Sequence, residues 1–268
     1  MQPIIFPGLG LKFTINPVAI KLLGISVHWY GILIAVAFLL AILLALRHSK
    51  AFNITENDII DLALYTAPLA IIGARLYYVI FTWSNYKNNL AEIYKIWHGG
   101  LAIYGGILTA IIVAYIFAKK RNIGVMNLFD FIIPYVALAQ SIGRWGNFVN
   151  QEAHGIETNL PWRMEIFDPV KMQRIAVHPT FLYESLWNFG LFWLLIWYRK
   201  NKKSQGNVFL LYLCLYGFAR FFIEGLRTDS LYIGAFRVSQ LLAGILFVLS
   251  TVLLLVRHFK FSKSNKTN

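Results

Sequence analysis

Hydrophobic positions in this chain fall in long runs separated by short polar segments. A helix needs about 20 apolar residues to cross the hydrocarbon of a bilayer. Seven stretches approach that length: roughly 25–46, 59–81, 98–118, 127–144, 180–198, 207–224 and 236–256. The pattern predicts an all-α polytopic membrane protein with about seven transmembrane helices. No polar linker, low-complexity tract or strong repeat divides it, so residues 1–268 read as one integral membrane domain. The connection 145–178 is long and lacks a strong period, which predicts a small external head region within that domain.

Composition agrees. Hydrophobic residues make up 58% of the chain and charged residues 14%, outside the range of soluble domains. Basic clusters follow the odd-numbered runs: Arg47 and Lys50; Lys119, Lys120 and Arg121; Arg199, Lys200, Lys202 and Lys203; Arg257, Lys260, Lys263 and Lys266. The opposite segments are longer in total and less basic. The positive-inside rule then predicts an outside N-terminus and a cytoplasmic C-terminus. The net charge of +13 is thus a topology signal and a contact for anionic membrane lipids rather than a nucleic-acid surface. The first run carries its positive charges after it, so it is expected to stay as an anchor rather than be cleaved.

With that orientation, ionisable residues gather at the outer rim. Arg75, Arg144, Arg220 and Arg237 come from four different runs, and Glu184 and Glu224 lie at the same side. A charged side chain near the bilayer centre costs about 2.5–3.5 kcal/mol or more, so such groups face the protein interior and pair. Arg237 also fits a side chain snorkelling to the interface. Four guanidinium groups at one depth exceed what topology needs, and their forked donors match phosphate oxygens. The expected ligand is a phospholipid head group. Asp58, Asp61 and Asp130 lie on the inner side at helix starts, where carboxylates suit the macrodipole.

The densest polarity is GRWGNFVNQEAHG, residues 143–155. Arg144 and Asn147 share a face if the helix continues that far. Gly143 and Gly146 either allow close backbone approach or end the helix, and Glu152 is positioned to orient an arginine or the loop. In RFFIEGLR, Arg220 and Glu224 form an i,i+4 pair followed by Arg227; that pair either serves a site or simply satisfies itself. In HGGLAIYGG, residues 98–106, the glycine pairs permit close helix packing or leave room for substrate. The lone Cys214 excludes an intrachain disulfide and any two-cysteine metal site, and reads as a small core residue. No cluster has metal-ligand spacing, so neither a metal nor another cofactor is expected.

The stretch GRWGNFVNQEAHG resembles, position for position, the signature G-R-x-G-N-F-x-N-x-E-x-x-G of bacterial prolipoprotein diacylglyceryl transferases. HWYG at 28–31, GARLYY at 73–78, HGGLAIYGG, HPTFLYE at 178–184 and RFFIEGLR look like the same family. The resemblance covers nearly the whole chain. It implies transfer of the diacylglyceryl group of phosphatidylglycerol to the lipobox cysteine thiol in the signal peptide of a preprolipoprotein, releasing glycerol 1-phosphate. It implies a multi-pass protein of the bacterial cytoplasmic membrane with its active site facing the outer leaflet. By matching positions, Tyr30, Arg144, Asn147, Glu152, Gly155, Arg220 and Glu224 are the residues used for activity. Arg75, His98, Asn150 and Arg227 are further candidates for holding substrate. Some members carry a histidine before the second glycine pair, often assigned as the base; here Tyr104 stands there and His98 precedes the first pair.

A cysteine thiol is mostly protonated at neutral pH, and its thiolate is the nucleophile. Arg144 and Arg220 are expected to clamp the phosphate and stabilise the charge that develops as the C–O bond breaks. Tyr104 either accepts the thiol proton or hydrogen-bonds the phosphate. Asn147 is expected to orient a head-group oxygen, and Glu152 and Glu224 to hold arginines in place. The alternative function is a transporter or flippase of an anionic lipid or solute, which predicts charges spread across the membrane depth and broken helices near the midplane. An intramembrane protease lacks its nucleophile motif here.

Overall fold

The computed structural model describes residues 2–22, 25–200 and 204–264. Lys202, Lys203, Lys266 and the side chain of Lys263, members of the basic clusters, lie outside what is described. The fold is mostly helical, with seven α-helices among the described residues: α1 (Trp29–His48), α2 (Glu56–Phe81), α3 (Ile103–Lys120), α4 (Val125–Asn150), α5 (Thr180–Lys200), α6 (Asn207–Leu226) and α7 (Val238–Ser264). Six of them are long and apolar enough to cross a membrane. The sixth and fourth runs, short in the sequence pattern, belong to helices of 20 and 26 residues. The helix outside that group, α5, has 21 residues but carries Glu184, Ser185 and Asn188 on its buried face.

The chain is not purely helical. Strands β1 (Ile4–Phe6), β2 (Leu11–Phe13), β5 (Met164–Asp168) and β6 (Gln173–Val177) form an antiparallel sheet in the order β2-β1-β5-β6. Strands β3 (Val18–Leu22) and β4 (Ile25–His28) form one hairpin, and β7 (Tyr232–Ile233) and β8 (Phe236–Arg237) another. The first apolar run was expected to begin its helix near residue 25, but residues 25–28 are strand. Its Ile-Ser-Val-His alternation suits a pleated edge, and α1 starts only at Trp29.

Two compact units make up the fold, the first from residues 1–41 and 132–268, the second from 42–131. In the first, the four-stranded sheet turns Ile4, Phe6, Met164, Ile166, Ile175 and Val177 onto Phe148 and Val149 of α4 and Phe181 of α5. Inward residues alternate along each strand with a period of two, as a one-sided sheet requires. Phe148 and Phe181 stack with ring centroids 4.7 Å apart. This core fixes the last turns of α4 against the first turn of α5, which is where the polar signature lies.

In the second unit α2 opens with a capping box between Thr55 and Asp58, and Arg121 pairs with Asp61. The two glycine pairs of HGGLAIYGG do different work. Gly99 and Gly100 have φ of 84° and 76°, a turn that delays α3 to Ile103 rather than residue 98. Gly105 lies in the helix against α2: a Cβ there would stand 2.4 Å from the Gly73 carbonyl oxygen and the Tyr77 Cβ. Helix packing therefore accounts for that position.

Candidate active site

Helix α4 continues to Asn150, past the residue 144 at which the hydrophobic run stops. Arg144 and Asn147 consequently share a face, and Arg144 Nη1 donates to Asn147 Oδ1 at 3.2 Å. The Asn147 amide donates in turn to Glu152 Oε1 at 2.9 Å, with a longer bond from Asn150 at 3.4 Å. Glu152 thus orients Arg144 through Asn147. Gly146 lets the ring of Tyr30 of α1 approach the same turn closely.

The signature loop is clasped at both ends. Gln151 and Ala153 have φ of 54° and 56°, which turns the chain back after α4. Thr180 Oγ1 donates to the Ala153 carbonyl at 2.6 Å, and the Gly155 amide donates to the His178 carbonyl at 3.0 Å. The Ile156 amide reaches the Leu226 carbonyl at 2.7 Å. A Cβ on Gly155 would stand 2.7 Å from that of His178, so the strap admits only glycine at this distance. These bonds bring GRWGNFVNQEAHG, HPTFLYE and RFFIEGLR together at one place.

At that place two arginines meet on one carboxylate. Glu184, with a side chain 3% exposed, accepts from Arg144 Nη2 at 2.6 Å through Oε1 and from Arg220 Nη1 at 2.7 Å through Oε2. Arg220 Nη2 also pairs with Glu224 Oε2 at 2.6 Å. Tyr216 lies within hydrogen-bonding reach of Arg144 and stacks on Tyr212, whose hydroxyl donates to Gln140 at 2.9 Å. Each guanidinium has five N–H donors, so neither has spent all of them on these partners. The Arg144 and Arg220 side chains are 23% and 14% exposed.

The other candidates make contacts of their own. Arg227 makes a bidentate pair with Asp229 at 2.7 and 2.9 Å and stands 3.9 Å from Glu224. Burial raises the Asp229 carboxyl, but the hydrogen bonds and charge of Arg227 outweigh burial and hold it below the usual carboxylate range. Arg237 donates to the Glu224 carbonyl and, at 2.8 Å, to the Tyr232 hydroxyl, tying the β7–β8 hairpin to the end of α6. Arg75, in the second unit, sends its guanidinium to backbone carbonyls: Ile93 at 2.9 Å, Gly99 at 2.6 Å, Gly100 at 2.9 Å, Glu92 at 2.6 Å and Lys95 at 3.4 Å. There it staples the segment after α2. His98 Nδ1 faces Glu92 Oε2 at 2.8 Å, and the hydrogen bonds from Lys95 and then His98 hold the Glu92 carboxyl below its ordinary value. Tyr104 lies in the first turn of α3, in the same unit.

Two carboxylates, Glu184 and Asp229, were not assigned a site role from the sequence. Four arginines expected at one rim suggested a surplus of positive charge, yet Arg144 and Arg220 of that group, together with Arg227, are set among Glu184, Glu224 and Asp229. Glu184 stood out only as a carboxylate early in an apolar run. Its position at the rim was the available signal, but which groups it joins depends on three helices.

A family model described as prolipoprotein diacylglyceryl transferase matches residues 17–256. A protein of Finegoldia magna named phosphatidylglycerol–prolipoprotein diacylglyceryl transferase is 51% identical over 244 residues, covering 91% of this chain and 96% of its own. Proteins of the same name from Clostridioides difficile and Listeria welshimeri are 46% and 48% identical; they cover 94% and 95% of this chain and 97% and 94% of their own.

Proposed function

The chain belongs to the prolipoprotein diacylglyceryl transferase family, and on that premise we propose that Arg144 and Arg220 form the phosphate clamp of the reaction its relatives are named for. The protein is an enzyme that transfers the diacylglyceryl group of phosphatidylglycerol to a prolipoprotein. The rival reading, a transporter or flippase, is not favoured by those relatives.

The acceptor in this reading is the lipobox cysteine of the signal peptide. Its thiolate attacks the glycerol carbon next to the phosphate. The new C–S bond forms as the C–O bond breaks, and the electron pair leaves with the phosphate as glycerol 1-phosphate. The thiol proton ends on that phosphate or in solvent. The diester carries one negative charge and the departing monoester nearly two at neutral pH, so the transition state gains charge at the phosphate oxygens. Fixed guanidinium donors in a water-poor setting stabilise that gain without reorganising. Asn147, held by Glu152, orients a head-group oxygen; Glu224 steadies Arg220; Tyr30, Gly155, Asn150 and Arg227 shape the surroundings. The observation that carries this account is the convergence of Arg144 and Arg220, from different helices, on Glu184.

In the membrane, we count α5 as a seventh span, with the N-terminus outside, the C-terminus cytoplasmic and the 145–178 region as an external head. The basic clusters that follow α1, α3, α5 and α7 support this orientation. The active site then faces the outer leaflet of the bacterial cytoplasmic membrane, where phosphatidylglycerol and a translocated signal peptide both arrive.

The test is incubation of the purified protein with phosphatidylglycerol and a lipobox peptide, followed by mass measurement. The peptide should gain one diacylglyceryl group, and its Cys→Ser counterpart none. Arg144→Ala and Arg220→Ala should each lower transfer by about a hundredfold or more while the protein stays folded. Transfer near wild type in either folded variant removes the clamp.

A further inference from the structure

A carboxylate buried between two arginines is an odd neighbour for a phosphate site, because it opposes the ligand's own charge. Burying ion pairs seldom adds net stability over apolar packing, so their presence calls for another reason. Glu184 is 3% exposed, and each of its oxygens takes one guanidinium from a different helix, at 2.6 and 2.7 Å. It acts on Arg144 and Arg220 together, unlike Glu224, which reaches Arg220 and stands farther from Arg227.

We propose that Glu184 is a positioning residue that sets the charge of the clamp so that the phosphate monoester product can leave. This rests on the reading of the site as one that expels a phosphate monoester. The reaction turns a singly charged diester into a product close to doubly charged at neutral pH. Two guanidinium groups without a counter-charge would hold the product more tightly than the substrate, because Coulomb attraction scales with ligand charge. Turnover would then stall on the bound product. The fixed charge of Glu184 offsets part of that preference. It also holds both guanidinium groups to one geometry, leaving their other N–H donors for the lipid.

Three measurements on the full-length purified enzyme decide this: multiple-turnover kcat, single-turnover rate and the Ki of glycerol 1-phosphate. Glu184→Gln keeps the shape and removes the charge. Its Ki should fall about tenfold or more, and kcat should drop further than the single-turnover rate. Glu184→Asp keeps the charge, and its Ki should stay within about twofold of wild type even if the shorter side chain slows turnover. Should Glu184→Gln not fold, Glu224→Gln removes the other carboxylate on Arg220 and should lower Ki in the same direction. An unchanged Ki in a folded charge-removing variant, with single-turnover rate and kcat falling together, overturns the proposal and leaves Glu184 a geometric strut. Failure of the underlying reading looks different: wild-type enzyme would release no glycerol phosphate from phosphatidylglycerol in the presence of the peptide.

Discussion

The ring of Tyr30 occupies the space where a side chain on Gly146 would begin. A Cβ on that glycine would stand 2.4 Å from the ring's Cδ2 and 2.9 Å from Cε2. The contact joins the first turn of α1 to the turn of α4 that carries Arg144 and Asn147. Gly146→Ala must therefore displace either the ring or the helix. Overpacking of this kind costs about 1–3 kcal/mol, and transfer should fall with it because Arg144 and Asn147 lie within two residues on the same helix. Thermal unfolding in detergent, alongside the mass-based transfer assay, checks both parts.

Arg75 illustrates an arginine whose fork fits backbone rather than ligand. Five carbonyls surround its donors, and Tyr86 lies 5.2 Å from the guanidinium carbon. A lysine has only three donors and no fork. Arg75→Lys should cost the 90–100 segment about 2–4 kcal/mol of local stability. Hydrogen exchange should accelerate at amides of that segment and stay slow in the middle of α2. Unchanged exchange there would contradict a stapling role.

The imidazole of His178 sits at the joint of the signature strap, 3.2 Å from the Tyr183 hydroxyl, and burial holds it below its ordinary value of 6.5. A histidine with a depressed folded-state value contributes stability that is present above the unfolded value. That contribution is lost as pH falls through the folded one. The unfolding temperature should accordingly decline as pH drops below about 6.5, and His178→Gln should flatten the curve in that window. A wild-type curve already flat there would show that the imidazole takes up its proton without penalty.

Tyr104 stands where some family members carry a histidine. If its hydroxyl only hydrogen-bonds, Tyr104→Phe should lower kcat and leave the shape of the pH–rate profile intact, and this is the outcome we expect. Loss of the rising limb of the profile in the variant would instead make it the acceptor of the thiol proton.

Much of the helical frame was legible before any fold was known. Runs of apolar residues near the thickness of a bilayer allow little but helix, because each backbone N–H and C=O must find its partner within the segment. The ends were less legible. Residues 25–28 read as membrane helix and are strand, since a short apolar run has no period long enough to separate the two. The 145–178 connection hid strands β5 and β6, which pair with each other, β5 pairing also with β1. A sheet that joins strands more than 150 residues apart leaves no local trace of its partners.

The chemistry divides in the same way. Sequence alone determined that guanidinium, carboxylate and amide groups crowd into a few polar stretches of an apolar chain, because charges placed there are too costly to be incidental. It could not decide which of them meet. Arg75 and Arg237 sit at similar places in the pattern to Arg144 and Arg220, yet they bind backbone carbonyls, while the other two share Glu184. Partner choice depends on which helix faces turn toward each other, and here the aromatic and strand packing around Phe148 and Phe181, far apart in sequence, sets those faces.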